Sequence, residues 1–168
     1  MANQVSDNAQ AGPLVAEAVE RMAAAKIAVG LRPLAVIGLY GLVQSLRHGF
    51  QPPDYLMLMI GALLSMVAMV AYGLQAVARV LEKPTRWGGL VFAGSFVPVL
   101  FAGYVIVTRV LYLLALGVTS GVGSVLINVG LLTLAAMCVR AQWKLIEVHR
   151  LAAEMAGVGR MALERGAP

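Results

Sequence analysis

Acidic residues, histidines and cysteines are all scarce in this chain, and each scarcity removes a class of chemistry. Its 168 residues include eight Asp and Glu, two His and one Cys. A single cysteine, Cys138, excludes an internal disulfide and any cysteine-rich zinc or iron–sulfur site, and it reads as a small apolar packing residue. The acids are Asp7, Glu17, Glu20, Asp54, Glu82, Glu147, Glu154 and Glu164, and every one lies outside the long apolar runs. Proton-coupled pumps and exporters need a carboxylate or its equivalent within the bilayer, so that mechanism is not expected. A signal peptide is missing from the expectations as well, because the opening MANQVSDNAQAG lacks a basic stretch followed by a short apolar one.

What fills the chain is apolar: 60 % of residues are hydrophobic and only 12 % charged, with a mean hydropathy of +0.83. Such values belong to a chain solvated by lipid. The formal charge of +5 falls in short clusters between apolar runs rather than on one face, so it reads as membrane-flanking charge and not as a nucleic-acid surface.

Uncharged runs mark the spans. Tyr55 to Ala78 gives 24 residues, Trp87 to Thr108 gives 22 and Gly117 to Val139 gives 23. Each is long enough to cross a ~30 Å hydrocarbon layer at ~1.5 Å per residue. The first span, about 27–46, needs Arg32 near one end with its side chain reaching back to the headgroups, and Pro33 in its first turn. RVLYLLALG, 109–117, either extends the third span or lies along the interface. Before the first span, 1–13 reads as a disordered tail. Residues 14–26 read as an amphipathic helix at the membrane surface, with Leu14, Ala18 and Met22 at fours and Glu17, Glu20 and Arg21 opposite. After the last, 143–168 reads as a cytoplasmic amphipathic helix, the fourth helix either continuing out of the membrane or bending along it, with Val148, Leu151, Met155 and Val158 along one seam. The fold expected is all-α: an integral membrane four-helix bundle over 27–142, flanked by those two helices.

Lys and Arg resist translocation, so their distribution sets orientation. Arg21, Lys26, Arg32, Arg79, Lys83, Arg86, Arg140, Lys144, Arg150, Arg160 and Arg165 fall on one side, and Arg47 and Arg109 on the other. Eleven against two places both termini in the cytoplasm of a bacterial inner membrane, the bacterial source being read from the richness in Ala, Gly, Val and Arg.

Few residues carry a chemical option. His48 and His149 lie on opposite sides of the membrane and do not jointly hold a haem or a metal. No nucleophile, base and orienting acid come together, so neither catalysis nor a cofactor is expected. TSGVGS, 119–124, has no preceding strand and no lysine, and so is a poor phosphate cradle. Its small residues fit close helix approach: Gly117 with Gly121, and Ser120 with Ser124. Gly41 with Ser45, Gly61 with Ser65 and Gly89 with Ala93 give the other spans the same kind of face. Pro98, midway along the third span, is expected to bend it, and Asn128 to hydrogen-bond a facing helix or line a pore. The methionines of the second span, Met57, Met59, Met66 and Met69, are adaptable apolar filler rather than a copper path.

Two functions fit these residues. The first is a non-catalytic subunit that scaffolds or helps assemble a larger membrane complex, its partners being lipid, other membrane proteins or copies of itself, with Val148, Leu151, Met155 and Val158 as the docking seam. The second is a homo-oligomeric channel or facilitator, with Asn128 and Ser120 at the pore and Pro98 as its gate.

Overall fold

The computed structural model describes residues 2–50, 53–81, 88–116 and 121–166, with side chains over 14–50, 53–81, 88–89, 91, 94–115 and 121–155. Among the described residues all regular structure is helical: α1 (Ala2–Arg47), α2 (Pro53–Val80), α3 (Gly88–Gly94), α4 (Val97–Leu116) and α5 (Val122–Gly166). Four stretches are long and apolar enough to cross a membrane, Leu14–Arg47, Pro53–Val80, Val97–Ala115 and Val122–Met155. The chain is thus a multi-pass helical protein in its length pattern and composition.

The helices run antiparallel in sequence. Along α1, Gly41 faces Tyr55 and Met59, Gly38 faces Ala62, Gly30 faces Met69, and Ile27 faces Gly73, so each step back along α1 is matched by a step forward along α2. Between α2 and α4, Gly61 sits against Phe101. On the other side of the bundle, Tyr112 of α4 meets Ser124 of α5. We call the end that holds the two short turns, after Arg47 and before Val122, the hairpin end, and the opposite one the extended end.

Glycine decides how closely α1 and α2 approach. A Cβ on Gly41 would lie 2.7 Å from the Tyr55 carbonyl oxygen and 2.8 Å from the Met59 nitrogen, so only a hydrogen fits between the two backbones. At the hairpin end α1 is stopped by Gly49, in the left-handed region at φ 61. The Phe50 amide then donates back to the Ser45 carbonyl at 2.7 Å, closing the last turn.

Two boundaries differ from those read in the sequence, and a third follows one of the two courses left open there. The surface helix and the first span are one uninterrupted helix, α1, which runs from Ala2 through Pro33. Pro33 therefore lies inside a helix rather than in a first turn, and its missing N–H leaves the Val29 carbonyl without a helical donor. The fourth span continues without a break through 143–166, as the first of its two courses has it. The third span starts about ten residues later than its uncharged run, because Pro98 cannot donate to the Gly94 carbonyl and its ring clashes there. The chain stops α3 at Gly94, passes through Ser95 and Phe96, and starts α4 at Val97. Pro98 is thus buried in the first turn of α4, where proline is well tolerated, and it does not bend a span. Residues 109–116 are part of that span.

A bilayer needs only ~20 helical residues, yet the candidate spans of α1 and α5 are 34 residues each, about 51 Å at 1.5 Å per residue. The pair outruns α2 and α4 at the extended end. Val19 and Ala23 of α1 and Leu145, Val148 and Ala152 of α5 belong to the same continuous core as Leu58, Phe101 and Ala135. On the outward side of the extension, Arg21 pairs with Glu17, Lys144 with Glu147 and Arg150 with Glu154, each within one helix. Exposed pairs of that kind contribute little individually and keep the outer face solvated.

Candidate functional site

Moving the third span moves Arg109. Its sequence leaves it either in an extension of the third span or in the outer turn, and it stands in the extension, seven residues before the end of α4 at Leu116, about 10 Å inside. It is only 9 % exposed. Its Nε is buried without a hydrogen-bond partner, and among the described residues no hydrogen bond or ion pair holds its guanidinium. A charged side chain within a span is costly, and the cost is greatest when no carboxylate answers it.

Four of the five tyrosines lie around it at the hairpin end. Tyr40 of α1 is close enough to feel the guanidinium charge, together with Tyr55 and Tyr112. Tyr104, one helical turn and a residue before Arg109, is close enough to feel both it and the Asp54 carboxylate. Tyr40 packs edge-on against Tyr55, ring centroids 6.2 Å apart, and Tyr55 stacks on His48 at 5.8 Å. Gln44 lies beside the Tyr40 hydroxyl. The result is a polar cluster at the hairpin end: a buried guanidinium, tyrosine hydroxyls and the Asp54 carboxylate.

Asn128 lines the same half of the bundle. It is buried, and its amide donates to the Ser124 carbonyl of its own helix at 2.8 Å, which leaves Oδ1 without a partner. Among the described residues it bonds no facing helix. Ser124 instead shares a 3.3 Å hydrogen bond with the Tyr112 hydroxyl. Ser45 and Ser65 are fully buried, and neither hydroxyl has a partner among the described residues. Gly121 begins α5 as a cap, its carbonyl accepting from Ser124 at 2.9 Å, with open space where a Cβ would go. Gly89 is also open. Gly117, Ser120, and the side chains of Ala93 and Val158 lie outside the described residues.

The seam on the last helix divides. Val148 is buried in the chain's own core, which removes it from any docking surface, whereas Leu151 and Met155 are 43 % and 41 % exposed. Next to Val148, His149 is buried too, stacked face to face on Tyr72 of α2 at 4.4 Å. Neither of its nitrogens has a hydrogen-bond partner. His149 packs there as an aromatic ring against the second span.

Sequence reasoning missed both Arg109 and His149. Pro98 was the available signal for the first: read as a helix start, it places Arg109 inside α4. The second had none, since burial of His149 depends on Tyr72 in another helix. No protein family, characterised protein or solved structure matches this chain.

Proposed function

We propose that the chain is a non-catalytic subunit of a larger membrane complex, held in a bacterial inner membrane with both ends in the cytoplasm, and that it docks its partner on the extended end. One observation carries this reading. The α1–α5 pair reaches well past the length a bilayer requires, and beyond that limit it still presents apolar side chains, Leu151 and Met155, beside the ion-paired face of α5. Apolar surface outside the lipid and outside the chain's own core favours a protein neighbour. Orientation is supported by charge: with Arg109 drawn into α4, Arg47 is the one Lys or Arg left at the hairpin end, against eleven at the other.

The test is native mass spectrometry of particles extracted from source membranes in mild detergent. Co-extraction with different proteins in fixed ratio is the expected result, and Leu151→Asp should release the chain from them while leaving it in the membrane. A closed ring of this chain alone would overturn the proposal in favour of a homo-oligomeric channel.

A further inference from the structure

At the level where the extended end leaves the bilayer, α1 and α5 part to form a groove of about 320 Å³, lined by Lys26, Val29, Met137, Arg140, Ala141 and Lys144. We propose that this groove binds the headgroup of an anionic phospholipid, with the start of an acyl chain laid along its apolar half.

The depth is right for a headgroup. Lys26 is 21 residues from the end of α1 at Arg47 and Lys144 is 22 from the start of α5 at Val122, about 32 Å in each case. That is the thickness of the hydrocarbon layer, so both ammonium groups stand at its edge. Trp143, 65 % exposed, marks the same level, where indole rings favour the headgroup boundary.

The groove is also polarised along the bilayer normal. Val29 is one turn nearer the hairpin end than Lys26, and Met137 is one turn nearer it than Arg140 and Ala141. Charge therefore rims the outer end of the groove, and half-exposed apolar side chains open its inner end toward lipid. A phosphodiester with an attached acyl chain has that same order. A soluble anion matches only the rim, and an acidic peptide lacks a partner for the apolar end.

Charge selects the anionic class. Lys144 gives part of its charge to Glu147, 2.9 Å away. Lys26 and Arg140 have no ion pair among the described residues. Two uncompensated cations on facing helices of one interfacial pocket are the pattern that recognises acidic headgroups. A zwitterionic headgroup would bring its own ammonium into the same rim.

The test uses the full-length chain in nanodiscs of phosphatidylcholine with a minor fraction of phosphatidylglycerol, released into the gas phase and scored for retained lipid. The wild type should retain phosphatidylglycerol in preference to phosphatidylcholine. Lys26→Gln with Arg140→Gln should lower that preference about 30-fold, the loss expected of two basic side chains at a membrane surface. Val29→Trp fills the apolar half and leaves every charge in place, so it should also expel the lipid; it decides the matter if the double variant does not fold. Arg21→Gln, outside the groove, should retain lipid like the wild type. Wild-type retention by Val29→Trp or by a folded double variant would overturn the proposal, as would equal retention of both lipids. Displacement of phosphatidylglycerol by inorganic phosphate would overturn it as well, showing a free-anion site instead.

Discussion

The Gln142 side chain of α5 donates a 2.9 Å hydrogen bond to the carbonyl oxygen of Ser95, the residue where α3 has ended and α4 has not begun. Forty-seven positions separate the two in sequence. Interrupted helices within or beside a bilayer persist only where protein groups answer the freed backbone, and here the answer comes from the neighbouring helix α5. A second amide does similar work nearby, Gln75 of α2 donating to the Gly88 carbonyl at 3.0 Å. Gln142→Leu removes a donor from the joint while conserving apolar volume. It should lower stability by ~1 to 3 kcal/mol and raise hydrogen exchange selectively over 96–101. A uniform change along the chain would show that the bond does not hold the joint.

Gly41 and Gly130 make a controlled pair. The first lies against the α2 backbone, which cannot yield, and the second has open space where a Cβ would be added. Gly41→Ala should lower the detergent melting temperature, by the equivalent of ~1 to 3 kcal/mol for an overpacked contact. Gly130→Ala should leave it unchanged or raised. Equal effects at the two sites would mean that α1 and α2 are not in backbone contact.

Arg109 yields a prediction whose sign is informative. A buried charge with no carboxylate bound to it opposes folding, so Arg109→Leu should stabilise the isolated chain by ~1 to 4 kcal/mol. Thermal unfolding in detergent reads this directly. Destabilisation instead would mean that the guanidinium has a partner in the folded state, either a bound anion or a group from another chain.

His149 is stacked face to face on Tyr72 at 4.4 Å, with neither ring nitrogen hydrogen-bonded among the described residues. His149→Phe keeps a ring on Tyr72 and removes two buried nitrogens without partners, so it should leave the detergent melting temperature unchanged or raised. His149→Ala empties the site and should lower it by the equivalent of ~2 to 5 kcal/mol. A loss with Phe as large as with Ala would mean that the imidazole nitrogens have a partner in the folded state.

The sequence makes the helical class and the four crossings legible because each depends on a property summed over ~20 residues, which no single side chain can reverse. The edges of the third crossing depend on one residue. An uncharged run from Trp87 to Thr108 looks complete, and Arg109 looks like its boundary, but Pro98 resets the helix and carries the arginine inward. Val148 and Leu151 look alike on a heptad, and only the position of α1 makes one core and the other surface. The groove at Lys26 and Arg140 is invisible for the same reason: 114 positions separate its two sides, and neither side alone differs from ordinary flanking charge.

The pairing of α1 with α5 also sets an order of events during synthesis. Val19 and Ala23 emerge with the first helix, but Val148 and Ala152, which complete the core around them, are made with the last. Throughout translation of everything between, the projecting part of α1 stands without its cover. A chain truncated before α5 leaves that apolar strip without its cover, and it is the synthesis of α5 that closes it.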